Sequence, residues 1–333
     1  MTRTVVITGA SAGAGRAIAQ AFAARGDRVG LIARGAAGLA AAERDCLDRG
    51  AAAAMGVQCD VSDAEAVDAA ATRLATALGP VDVWVNNAML SVFAPAWQIT
   101  ADEYRRVVEV NLLGTVHGTL AALRQMRPRG TGVVVQIGST LAYRGIPLQA
   151  PYCASKHAIQ GFCDSLRAEL LREYPGIKVT MVQLPALNTP QFSWVRSRLP
   201  RHPQPVPPVF QPEVAAEAVL WAADHAPREM NVTGRTSVIR ALNAIGPGLL
   251  ERVMARNTVE AQQTDQPVDP RTRKDNLDGP VDSDHDAGAH GAFDEKAIRF
   301  SPVLWASTHR GTVAATVAGL IAAVTVGRWR RRT

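Results

Sequence analysis

A doubly wound parallel α/β sheet of about seven strands, with helices on both faces, is the fold class this 333-residue sequence predicts. Three observations carry that expectation. Short β-branched runs recur along the first 240 positions, helical stretches separate them, and the first run leads at once into a glycine turn that opens a helix.

The first strand is expected at RTVVIT (3–8), followed by GASAGAG and the helix-like RAIAQAFAARG. RVGLIAR (28–34) is a second buried strand, and an Ala-rich helical stretch follows it. Further strands are expected in AAAMGVQCDV, VDVWVNNA, GVVVQIGS and IKVTMVQL, with a seventh in MNVTGRTSVIR (230–240). Between Asn188 and Gln211 the chain turns rich in Pro and Arg and carries Phe192 and Trp194. A connection of that length suits a lid or binding loop. Gln211-Pro212-Glu213 starts a helix, with Pro at its first position and an acid in its first turn.

Three segments are therefore expected: residues 1–255 as one catalytic domain, 256–300 as an acidic, Pro/Gly-rich and loosely attached linker, and 301–333 as an apolar helix with an Arg-rich end. His285 and His290 stand among aspartates in the linker, but nothing there fixes a ligand geometry, so no metal is assigned. Cys46, Cys59, Cys153 and Cys163 form no CxxC pair, which suits small buried residues in a reducing compartment. No long apolar core precedes Gly9, so a cytoplasmic location is expected. The net charge is +6, but Arg328, Arg330, Arg331 and Arg332 supply four of it; the remaining +2 gives no basic groove for nucleic acid. Residues 311–327 run 17 positions without a charge and would span about 25 Å as a helix, short of a hydrocarbon core. Association with a membrane surface or insertion through 311–332, and docking on a neighbouring subunit, both remain open.

The glycine turn has a chemical meaning. Its glycines let peptide N–H groups approach a pyrophosphate at the positive end of a helix. An acid at the end of the second strand would suit a ribose 2′-hydroxyl; Arg34 there suits a 2′-phosphate, favouring NADP(H) over NAD(H).

Among 36 basic residues only Lys156, Lys178, Lys274 and Lys296 are lysines. Lys156 follows Tyr152 by four positions, so the two share a helix face. A nearby ammonium favours the phenolate and is expected to bring the tyrosine pKa toward the working range. Ser139 lies just past a strand, where it can donate to a developing oxyanion, and Asn111 sits on a helix where it can orient a relay water.

These residues together resemble the short-chain dehydrogenase/reductase family over residues 3–255. The family's Thr-Gly-x-x-x-Gly-x-Gly falls on Thr8, Gly9, Gly13 and Gly15, its adenine-side acid on Asp60-Val61, and its catalytic tetrad on Asn111, Ser139, Tyr152 and Lys156. The resemblance implies a Rossmann-like domain and reversible hydride transfer between NAD(P)(H) and a carbonyl or alcohol. The cofactor residues it implies are Thr8, Gly9, Ser11, Gly13, Gly15, Arg34, Asp60, Val61, Asn86, Ala88, Tyr152, Lys156 and Thr189. It also implies a dimer or tetramer. Two departures stand out: Met89 where the family has Gly after Asn-Asn-Ala, and Leu184-Pro185-Ala186 where it has Pro-Gly. They are the features that favour the alternative, a cofactor-binding regulator or scaffold without turnover. Phe192, Trp194 and the lid prolines suit an apolar substrate; Arg196, Arg198 and Arg201 either meet an anionic group or stay solvated.

Overall fold

The computed structural model describes residues 2–269, 271–313, 315 and 316. Its main sheet has the seven strands β1 (Thr4–Thr8), β2 (Arg28–Ala33), β3 (Ala53–Gln58), β4 (Val83–Asn86), β5 (Gly132–Ser139), β6 (Ile177–Leu184) and β7 (Glu229–Asn231). They lie in the order β7-β6-β5-β4-β1-β2-β3, and every pairing is parallel. The strand order therefore reverses between β1 and β4, and ligands of such sheets bind beyond the carboxyl ends at that point.

Period-two alternation divides the core. Val5 and Ile7 of β1, Val83 and Val85 of β4, and Val135 of β5 face one side; Val6, Trp84 and Val134 face the other. Helices α1 (Gly13–Ala23), α2 (Ala36–Asp48) and α7 (Pro212–His225) cover the first face; α3 (Ala64–Leu78), α5 (Gly114–Met126) and α6 (Ala150–Glu173) cover the second. Helix α4 (Ala101–Val108) starts on a capping box between Thr100 and Glu103, and a π-helical turn, Glu109–Leu113, joins it to α5. Helix α7 begins at Pro212 with Glu213 in its first turn, as its sequence predicts.

Two expectations need correcting. The seventh strand ends at Asn231, and α8 (Gly234–Ile245) occupies most of the stretch expected as strand. Val238, Leu242 and Ile245 repeat at helical spacing, and that periodicity outweighs the β-branched composition. The second correction concerns residues 256–300, expected as a loosely attached linker. Helix α9 (Pro247–Ala261) enters this stretch, and Gln263–Pro267 pairs antiparallel with Arg201–Pro203. Val209–Phe210 lies between Ala186–Leu187 and Ala297–Ile298 in a small parallel sheet. Leu277 is 1% exposed inside the second core. Sparse apolar residues and paired aspartates are enough to hold such a polar segment against a body already folded. Helix α10 (Pro302–Thr308) follows. Among the described residues no helix is long and apolar enough to cross a membrane; most of the 311–332 segment lies outside the described residues.

Candidate active site

A cavity of about 640 Å³ opens at the carboxyl ends of the strands, over the switch point between β1 and β4. The glycine turn forms one wall. Gly9 has φ +65°, and a Cβ there would lie 2.8 Å from the Ala88 Cα; a Cβ on Gly15 would lie 2.1 Å from the Gly9 carbonyl oxygen. Only glycine permits the turn and this approach of β1 to the β4 loop. Helix α1 has no side-chain cap at Ala12; the Gly13 N–H is taken by the Gly288 carbonyl, and the N–H groups of Ala14 and Gly15 are left to an anion. A pyrophosphate therefore fits the cradle these residues make.

Tyr152, Ser139 and Lys156 all line the cavity. Ser139 ends β5, and its Oγ accepts from the Leu141 N–H at 3.1 Å, leaving its own proton to donate. The Lys156 Nζ donates to the Ile137 carbonyl at 2.7 Å and lies 5.6 Å from the Tyr152 ring centroid. Burial pushes the Tyr152 phenol up to about 12, with a hydrogen bond from Ser139 acting in the opposite sense. Burial also pushes the Lys156 ammonium down to about 8. The expected lowering of the phenol by its lysine is thus corrected: desolvation dominates, and the ammonium lies over the ring while it donates a hydrogen bond to the Ile137 carbonyl.

Asn111 is buried in the π-helical turn and does not line the cavity. Its side chain accepts from the Leu90 N–H at 2.7 Å and donates to the Leu90 carbonyl at 2.9 Å and to Ser155 Oγ at 3.0 Å. Ser155 Oγ donates in turn to the Tyr152 carbonyl at 2.8 Å. Asn111 therefore ties the turn after β4 to the helix that carries the tyrosine, and a π-turn at such a place is a frequent companion of functional sites.

Of the cofactor residues expected from the sequence, Gly9, Ser11, Gly13, Arg34, Asp60, Val61, Ala88 and Thr189 line the same cavity. Thr8, Gly15 and Asn86 do not. The Thr8 hydroxyl accepts from the Asn87 and Ala88 N–H groups at 3.0 and 3.1 Å, latching β1 to the β4 loop. The Asn86 amide donates to Thr119 Oγ1 and Gln136 Oε1, both at 3.0 Å, and accepts from the Trp84 indole at 2.8 Å. It is a saturated core network below the site, and the expectation that Asn86 contacts the cofactor is corrected to that role. Met89 and Leu184-Pro185-Ala186 line the cavity, so both departures shape its wall without displacing a tetrad residue.

Arg34, at the end of β2, donates to the Asn276 carbonyl at 2.5 Å and to the Leu277 carbonyl at 3.4 Å, and its Nη1 lies 3.8 Å from Asp60. Burial pushes its guanidinium below the ordinary arginine value, against the attraction of Asp60. Burial also opposes ionisation of Asp60, but hydrogen bonds from Ser62 and Arg106 outweigh it and hold the carboxyl below the usual range. The strap that meets Arg34 continues along the cradle: the Asp282 carbonyl accepts from Gly38 N–H at 3.0 Å, and the Gly288 carbonyl accepts from Gly13 N–H at 3.0 Å. Asn276, Pro280, Val281 and Asp282 line the cavity and were missed from sequence. Their one visible signal is Leu277 and Val281 among acids and prolines, too sparse for any period.

Phe192, Trp194, Pro205 and Val206 of the Pro/Arg-rich stretch line the same cavity, together with Ile239, Leu250 and Met254 from α8 and α9. The arginines of that stretch are occupied within the protein: Arg196 pairs with Asp275 at 2.9 Å and Asp278 at 2.7 Å, Arg198 with Glu103 at 2.7 Å, and Arg201 with Glu260. The expectation that they meet an anionic substrate or stay solvated is corrected accordingly. His290 bridges Glu213 at 2.7 Å and Asp294 at 3.0 Å, and among the described residues no cluster of side chains has the make-up of a metal site.

A family model described as short chain dehydrogenase matches residues 3–199. An uncharacterized oxidoreductase of Bacillus subtilis (strain 168), YxnA, is 32% identical over 331 residues, covering 98% of this chain and 91% of that protein. Among solved structures, an actinorhodin polyketide ketoreductase variant with NADPH superposes with a TM-score of 0.63 at 30% identity, over 71% of this chain and 97% of that one. An alcohol dehydrogenase from the archaeon Thermococcus sibiricus, complexed with 5-hydroxy-NADP, gives 0.58 at 26% identity, over 69% and 96%.

Proposed function

This chain belongs to the short chain dehydrogenase family of oxidoreductases, and from that premise we propose that it reduces the carbonyl of an apolar substrate, or oxidises the matching secondary alcohol, with NADP(H). The observation that carries the reading is the meeting of Tyr152, Ser139 and Lys156 on one cavity that the glycine turn also lines. The dinucleotide supplies or takes the hydride when bound. The protein's own groups manage the oxygen and its proton. Tyr152, protonated across the neutral range because burial raises its pKa, donates its proton to the carbonyl oxygen. Ser139 donates a second hydrogen bond to that oxygen. Lys156 keeps a positive charge beside the ring while it remains protonated. Asn111 positions the Leu90 turn and, through Ser155, the start of the catalytic helix.

The cofactor would be held by the turn around Gly9, Ser11 and Gly13, by Asp60-Val61 and Ala88 on the adenine side, by Thr189 at the opposite end, and by Arg34 at the ribose. Arg34, and solved relatives holding NADPH and 5-hydroxy-NADP, support NADP(H). The apolar lining of Phe192, Trp194, Val206, Ile239 and Met254 supports a lipophilic substrate.

The test is NADPH consumption by purified protein against a panel of lipophilic ketones and aldehydes. Tyr152→Phe should lose at least about a hundredfold in kcat, as removal of a general acid does, while NADPH binding followed by fluorescence stays within about twofold, because the lost hydroxyl serves the substrate. A mutant that keeps full turnover would remove Tyr152 from the mechanism. NADPH binding without turnover on any substrate would favour a regulator instead.

A further inference from the structure

The strap from Asp275 to Gly288 lies beyond the family-matched residues 3–199, yet it is built against the cradle. Asn276 and Leu277 occupy donors of Arg34, and the Leu277 carbonyl also accepts from Arg106 Nε at 3.2 Å. Asp286 reaches Arg16 at 3.4 Å, beneath the glycine turn.

Its most telling residue is Asp282. The residue is 6% exposed. A Cβ on Gly35 would lie 1.8 Å from its Oδ1, and a Cβ on Gly38 would lie 2.5 Å from its Oδ2. Two glycines at the entry of α2 thus leave a seat that any larger residue would close. The same imagined Gly38 Cβ is 3.2 Å from the Ser11 Cβ, so the carboxylate sits against the glycine turn as well. Around Arg34 stand Arg106 and three carboxylates, Asp60, Asp278 and Asp282. Asp60 is paired with Arg106 and Asp278 with Arg196. Asp282 acts on Arg34 through space and forms no ion pair of its own among the described residues.

We propose that Asp282 is a specificity-determining residue at the ribose 2′ position: its carboxylate accepts from a 2′-hydroxyl and repels a 2′-phosphate, holding down the NADP(H) preference that Arg34 confers. The inference rests on the reading that Arg34 receives that end of the dinucleotide. An acid in this role ordinarily comes from the end of the second strand; here it arrives from a segment more than 240 residues later, whose Asn276 carbonyl touches the same guanidinium and whose Asp282 acts on it by charge.

The experiment measures dissociation constants for NADPH and NADH by fluorescence titration of the full chain, for wild type, Asp282→Asn and Asp282→Ser. Removing one negative charge this close to a dianionic phosphate should tighten NADPH about tenfold, with NADH unchanged or weaker. Asn keeps the shape and Ser fits the seat, so one of the two reports even if the other fails to fold. In an Arg34→Ser background the gain should persist, since the carboxylate repels the phosphate directly and not through the guanidinium. An unchanged ratio of the two constants in folded variants, or an equal gain for both cofactors, overturns the proposal while leaving the functional reading intact. Wild type that binds neither dinucleotide overturns that reading and this inference together.

Discussion

Tyr152 and Lys156 show how far residue spacing carries an argument. Their i, i+4 relation correctly predicts a shared helix face, and with Ser139 they do meet at one cavity. The electrostatics were not legible, because pKa follows burial, and burial belongs to the folded surroundings. Asn86 and Asn111 are likewise polar residues whose partners, Thr119, Gln136, Leu90 and Ser155, come from other elements. The lysine has a measurable consequence. Burial lowers its pKa to about 8, so it is charged at neutral pH and loses that charge as pH rises through this value. We expect the rate of carbonyl reduction to be level below about pH 7 and to fall above pH 8, with Lys156→Met low and flat across the range. A rate for wild type that is unchanged to pH 9.5 would show that the charge is not needed.

At the scale of elements, six strands and the start of α7 were legible because burial on both faces and proline at a helix start leave local marks. The strap was not. Its attachments are carbonyls, glycine contacts and single ion pairs, none of which has a period. One attachment titrates. The hydrogen bond to Glu213 at the start of α7 holds the His290 pKa above its ordinary value, although partial burial opposes this. A raised folded pKa means that the contribution is complete below about pH 6.5 and is lost as pH climbs through the folded value. The side chain is 41% exposed, so screening keeps the effect under about 1 kcal/mol. Amide exchange in residues 288–294 should accelerate between pH 6 and pH 8.5 beyond the intrinsic base dependence, and His290→Gln should remove that excess. The same excess in the variant would assign it elsewhere.

Over the whole molecule the two helical layers differ in finish. On the layer of α5 and α6, Leu120 is 44% and Leu171 is 68% exposed, and Leu113 beside α5 is 41% exposed. A second copy covering this layer is the expected use of such leucines, consistent with the oligomer implied by family resemblance. Light scattering should give a mass at least twice that of one 35.4 kDa chain, and Leu171→Arg should shift it toward one chain with the melting temperature lowered by a few degrees at most. A wild-type monomer at micromolar concentration would refute this.

The path of the strap has a further consequence for how the molecule comes into being. Arg34 meets its Asn276 acceptor across 242 residues of chain, and the contact of Gly13 with Gly288 spans still more. Loops that long close late, after the local βα units have formed. On the ribosome, strands β1 to β6 and the tyrosine helix emerge while the strap is still unmade. The nascent protein therefore acquires Tyr152, Ser139 and Lys156 first and the cavity wall beside Arg34 last, so the pocket is closed only after its floor has been laid down.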